Sequence, residues 1–186
     1  MQPLLVLTSD PLSIEHLLPL HLFHAVMDDF ISLLYPITPI ICIRDFRAGV
    51  AVQRYQTDPA FLRLCFSLVA ITVSSLSRKF AEYGFPLYAN PKEVVDRAHN
   101  AVMASRLLSD PHWDDTPSLS TMICSFLLAG AAHYTQRRTR AWALLNESIA
   151  GCRDLKLYRK EGYKNLTEVD AQISKRLFWL LYITQV

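Results

Sequence analysis

Apolar residues along the chain recur at helical rather than strand spacing, with prolines and short polar runs between the periodic stretches. Residues 1–12 read as an irregular segment. Ser13 predicts a cap, and Pro19 either kinks the helix that follows or restarts it as a first-turn proline. Residues 20–34 keep a helical pattern until Tyr35-Pro36-Ile37-Thr38-Pro39 breaks it. The two prolines predict an extended stretch through Ile40, Ile41 and Cys42. Asp58-Pro59 joins a cap to a first-turn proline and opens a helix predicted to reach about Tyr83. Phe61, Leu64, Cys65 and Leu68 make one stripe on it, and Leu62, Phe66, Val69 and Val73 another. Two apolar faces place this helix at the centre.

Asn90-Pro91 repeats the start signal. Val94, Ala98, Ala101, Val102 and Leu108 then form a single stripe that ends near Asp110-Pro111. Thr116-Pro117 opens the next helix, to about Tyr134, and Ala141, Leu145, Ile149, Cys152 and Leu155 mark another. Gly162 with Tyr163-Lys164-Asn165 makes a loop, and Thr167 with Asp170 resembles a weak capping box for the last helix. There Phe178, Trp179, Leu180, Leu181 and Tyr182 point in successive directions, which predicts burial on every side. No Gly, Asn or Pro stops this helix before Val186, so the element is expected to continue past it. The expected fold is all-α, an irregular, truncated bundle of six to seven helices, with residues 13–186 forming part of one domain. No repeat of fixed period is present.

Composition narrows the class. Hydrophobic residues make up 51% and charged residues 19%, enough for a real core and too apolar for a disordered tail. The net charge of +2 is too small for an electrostatic nucleic-acid binder. Cys42, Cys65, Cys124 and Cys152 are scattered, which points to buried free thiols in a reducing compartment rather than disulfides or zinc. Residues 1–7 are apolar but lack a basic region and a cleavage site, which argues against a secretory signal. Residues 116–136 carry no Asp, Glu, Lys or Arg and are long enough to span a bilayer. Pro117, Ser118, Ser120, Thr121, Ser125, His133 and Gln136 dilute them, and a buried core helix is expected instead.

Candidate chemistry is sparse. His16, His21 and His24 cluster, yet their spacing does not put them on one helical face, and capping or solvation is the expected role. Adjacent Asp28 and Asp29 diverge around a helix and cannot act as paired acids. His112-Trp113-Asp114-Asp115 offers an acid and a base without a nucleophile or glycine-rich turn, so Trp113 is expected to fold onto the core. Arg137, Arg138 and Arg140 form the densest basic group, read as a solvated helix start or a partner-facing patch. Lys175 and Arg176 are placed on the polar side of the last helix. No catalytic, metal-ligating or DNA-contacting residue is assigned, and a ligand site is left open.

Three stretches together carry a family likeness. The first runs from His21-Leu22-Phe23-His24 through Tyr35-Pro36-Ile37-Thr38-Pro39-Ile40-Ile41. The second runs from Arg140-Ala141-Trp142-Ala143-Leu144-Leu145 to Ala150-Gly151-Cys152-Arg153-Asp154-Leu155-Lys156-Leu157-Tyr158-Arg159. The third is Lys175-Arg176-Leu177-Phe178-Trp179-Leu180-Leu181-Tyr182. In these the chain resembles the fungal-specific transcription factor domain, or middle homology region, of zinc binuclear-cluster regulators. It departs from that pattern at Lys156, where the family often has Gly, at Tyr158, where it often has His, and at Gln185, near a usual acidic residue. The resemblance implies a nuclear, helical regulatory domain answering to co-regulators or a small-molecule effector, with no membrane partner and dimers made through other segments. It also implies that zinc and DNA contact belong to a six-cysteine cluster that this sequence lacks. Two other classes compete: a helical scaffold binding peptides or partner proteins, which would need a fixed repeat, and an α-helical Mg²⁺ enzyme, which would need acids at i, i+4. Neither signal is found, and no enzyme activity is expected.

Overall fold

The computed structural model describes residues 12–109 and 117–185, and among these the chain is helical with no strand. Eight α-helices follow in order: α1 (Leu20–Asp29), α2 (Ile43–Ala51), α3 (Pro59–Ser75), α4 (Phe80–Tyr83), α5 (Pro91–Ser109), α6 (Leu119–Tyr134), α7 (Arg138–Asp154) and α8 (Glu168–Gln185). The all-α expectation holds. The sequence-predicted features at residues 1–11, at Asp110-Pro111, at His112-Trp113-Asp114-Asp115 and at Thr116 lie outside the described residues.

Helix α3 is the axis of the bundle, with α1, α5 and α6 against it, α7 on the outer side of α6, and α8 against α6 and α7. Asp58 starts it as expected: one carboxylate oxygen accepts the Ala60 and Phe61 N–H groups at 2.8 and 3.1 Å, and Pro59 follows the cap. Every residue from Cys65 to Ser74 is buried, as two apolar faces require. Its polar members cost little there. Ser67, Thr72 and Ser74 donate to the carbonyls of Arg63, Leu68 and Ala70 within the helix itself.

The helix predicted to reach Tyr83 stops at Ser75. The chain then bends by 90° through a 3-10 turn, Ser77–Lys79, into the single turn of α4. Ser74 also reaches the Ile71 carbonyl, drawing on the backbone acceptors of the last turn. Beyond the bend, Asp29 at the end of α1 receives Lys79 Nζ at 2.5 Å and the Tyr83 hydroxyl at 2.6 Å, which anchors the turned segment. Helix α2 is a second addition. Its start at Cys42 has no side-chain cap and only Phe46 and Gly49 are buried on it, and no helix is predicted there from the sequence. With α2 and α4 the described residues hold eight α-helices, slightly above the expected six to seven. The helix expected after Ser13 is one 3-10 turn, Ile14–His16, and Pro19 precedes α1, which runs on into a π-helical turn, Phe30–Leu34.

Helix α7 sits between two identical stops. At its entry Gln136 is left-handed (φ 61), with Arg137 N–H on the Ala132 carbonyl and Gln136 N–H on that of His133. At its exit Lys156 is left-handed (φ 54), with Leu157 N–H on Cys152 and Lys156 N–H on Arg153. Both are Schellman closures, whose pivot favours glycine. The Lys156 departure therefore falls where a side chain is strained, and Lys156→Gly is expected to raise unfolding stability by about 0.5–1 kcal/mol. Urea denaturation at neutral pH checks it; an unchanged or lower midpoint contradicts it. Gly151 has a different duty. A Cβ there would meet Met122 Cγ and Sδ at 2.8 Å, so its bareness lets α6 and α7 approach.

Helix α8 starts as predicted, with Thr167 Oγ1 accepting the Asp170 N–H at 3.1 Å. Its burial is one-sided. Ile173, Ser174, Leu177 and Leu181 are buried, Phe178 and Leu180 partly covered, and Trp179, Tyr182 and Ile183 exposed at 59%, 56% and 67%. One stripe at i, i+4 spacing meets the bundle, and no described element covers the rest. No single helix is long and apolar enough to cross a membrane among the described residues. The one bent pair that passes on length and composition is α3 with α4, and α3 is covered by its neighbours.

Candidate functional site

The polar residues of the bundle gather along a seam between α5 and α7. At one end Asp96 accepts Arg137 Nη2 and Arg140 Nη1, each at 2.5 Å. Burial raises the Asp96 pKa, and hydrogen bonds from Arg137 and Arg140 outweigh it, holding the carboxyl below its ordinary 3.8. At the other end Arg106 is 1% exposed. Its Nη1 donates to Glu147 Oε1 at 2.8 Å and its Nη2 to Ser125 Oγ at 2.7 Å, and Ser125 Oγ also bonds Glu147 at 2.6 Å. Arg63 of α3 comes in beside them, donating to Ser109 Oγ at 2.7 Å and to Ser105. Three helices are thus tied through one buried guanidinium.

His99 lies on α5 between these two ends. Burial, then the positive charges of Arg140 and Arg106, push its pKa from 6.5 down to about 4, against a smaller opposing pull from Asp96. The unfolded chain binds this proton first. Stability is therefore whole above pH 6.5 and falls as the pH drops toward 4, by about 2 kcal/mol after discounting for partial exposure. Urea melts between pH 7 and pH 4.5 should show this slope, and His99→Phe should flatten it. A flat wild-type profile contradicts the assignment. Below 3.8 the protonation of Asp96 removes a second contribution.

The residues singled out in the sequence do not converge. His16 closes a local box with Ser13, its Nδ1 2.9 Å from Ser13 Oγ, while His21 and His24 are exposed. Asp28 is exposed and Asp29 holds the α4 turn. Of the arginine group, Arg137 and Arg140 are bound to Asp96, which corrects their reading as solvated or partner-facing; Arg138 is exposed and forms no ion pair or hydrogen bond among the described residues. Lys175 lies over the Tyr163 ring, and Arg176 donates to the Pro39 carbonyl at 3.2 Å. Leu108, expected in the α5 stripe, is 64% exposed, and Arg106 takes the inward place. Positions 94, 98, 102 and 106 are one i+4 row, so the row itself pointed inward at Arg106.

Two clefts open along the α7–α8 side. The first, of about 450 Å³, lies between Ile149, Cys152 and Arg153 of α7, Tyr158, and Phe178, Leu181 and Tyr182 of α8. Burial raises the Cys152 pKa to about 11, so its thiol is protonated and inert at neutral pH. The second, of about 560 Å³, lies between α3, α6, α7 and the end of α8. Ile71, Leu127, Ala141 and Leu145 line it, Phe126, Tyr134 and Trp142 add aromatic surface, and Thr38, His133, Arg138 and Thr184 are polar residues on its wall.

The zinc of binuclear-cluster regulators does not fit these residues. The four cysteines are free thiols, Cys42 before α2 and the others on α3, α6 and α7. Among the described residues no three His, Cys, Asp or Glu side chains are grouped to hold a metal ion. Comparison with curated proteins and with solved structures gave no match. The family model of the fungal specific transcription factor domain matches residues 27–186. That span takes in α2 to α8 and the end of α1, including the seam and both clefts, so the chain belongs to the fungal specific transcription factor domain family.

Proposed function

We propose that this chain is the regulatory, non-DNA-contacting part of a fungal zinc-cluster transcription regulator that works in the nucleus. It acts by packing α8 in more than one way, with an effector or co-regulator shifting the balance. The observation that carries this reading is the seating of α8. It meets the bundle along a stripe of Ile173, Leu177 and Leu181, with one cleft beside Phe178, Leu181 and Tyr182 and another reaching Thr184 near its end. An element held this narrowly is drawn from the low-stability end of a fold, where moving parts belong. DNA contact and zinc are assigned to a cysteine-cluster segment outside these residues, and catalysis is assigned no role.

The test joins the chain to an unrelated DNA-binding module and measures transcription from a reporter carrying that module's site. The expected result is an output different from that of the module alone, changed again by Leu177→Ala, which loosens α8. Equal output from all three proteins overturns the proposal.

A further inference from the structure

We infer that the larger cleft, between α6, α7 and α8, binds a small aromatic carboxylic acid through Arg138. The inference rests on the regulatory reading only in taking that acid as the effector. At about 560 Å³ the cleft has the size of small-molecule sites, which are largely apolar with a few placed polar groups. Its surface has that composition: an aliphatic floor around Leu127 and Leu145, and aromatic rings from Phe126, Tyr134 and Trp142. Tyr134 and Trp142 remain 59% and 60% exposed, so their faces are open to a flat apolar body.

Charge selects the ligand further. No Asp or Glu lines the cleft, whereas Arg138 and His133 do. Within the arginine group the division is sharp. Arg137 and Arg140 are both bound to Asp96, while Arg138 forms no ion pair or hydrogen bond among the described residues. A guanidinium at the edge of an apolar cleft matches a carboxylate in two-point geometry, and the His133 ring N–H supplies a further donor. A neutral or cationic ligand of the same shape would leave the charge of Arg138 unanswered. The smaller cleft has Arg153 but a narrower aliphatic floor, and serves as the internal control.

Calorimetric titration of the chain with phenylacetate and indole-3-acetate, against their uncharged amides, tests the site. One acid is expected to saturate at one per chain and its amide to bind at least ~10-fold more weakly, the span of one charge-assisted contact. Arg138→Gln, on an exposed side chain that leaves the melting temperature unchanged, should weaken the acid ~10-fold and leave the amide as it was. Arg153→Gln should change neither. Equal binding of acid and amide, indifference to Arg138→Gln, or no saturation at millimolar acid overturns the inference. So does a self-associated chain that Trp142→Ala makes monomeric, since a second copy would then fill the cleft. Binding that leaves the reporter output unchanged keeps the site and removes its regulatory role. A reporter response to the domain without any binding does the reverse.

Discussion

Leu177→Ala is expected to lower unfolding stability by about 3 kcal/mol, and Trp179→Ala to change it by less than about 0.5 kcal/mol. The two residues are two positions apart and opposites in burial: Leu177 is fully buried, and Trp179 is 59% exposed. Removing the larger side chain is therefore the milder change. At Leu177 the loss combines transferred apolar surface with a cavity between α8 and the bundle, and only Ile173 and Leu181 remain on the seated stripe to limit it. Denaturation measures the global cost. Hydrogen exchange shows where it falls, and backbone amides of α8 should lose protection before those of α3. Equal costs at the two positions would mean that α8 is covered on a face where the structure leaves it open.

Glu147→Ala is expected to cost a similar amount, about 3 kcal/mol, although its side chain is 31% exposed. The cost comes from Arg106. A guanidinium 1% exposed keeps its charge, and Glu147→Ala takes from it one charged acceptor at 2.8 Å in a low-dielectric place. Ser125 loses the same acceptor, so the α6 member of the triad is disturbed as well. Glu147→Gln keeps an acceptor without the charge and should fall between the wild type and Glu147→Ala. Chemical denaturation of the three proteins orders them, and a Glu147→Ala protein within 1 kcal/mol of the wild type would show that the pair is not needed.

These expectations mark what the sequence could and could not disclose. Asp58-Pro59 and the two stripes after it located α3, because a cap and a doubled periodicity leave few alternatives. Thr167 with Asp170 located the start of α8 for the same reason. The 90° bend at Leu76 was hidden, since Phe80 and Tyr83 continue a helical pattern while Asp29, which holds Lys79 and Tyr83, lies 50 and 54 residues earlier than they do. Helix α2 was passed over because it lacks a cap, although Ile43, Phe46 and Val50 stand at helical spacing on it. The buried arginine was half visible. The i+4 row from Val94 to Val102 leads to position 106, yet only the packed structure shows Glu147 and Ser125 arriving from two other helices. The clefts were beyond reach, because each is the space left between elements distant in sequence.

The paired left-handed closures at Gln136 and Lys156 have one more consequence. They bound α7 at 17 residues, roughly 25 Å, the first by closing α6 just before it and the second by closing its own last turn. Arg138, Ala141 and Trp142 border one hollow near its beginning, and Ile149, Cys152 and Arg153 border the other near its end. A stiff rod of fixed length turns as a whole, so a tilt imposed at either end is delivered undiminished to the opposite one.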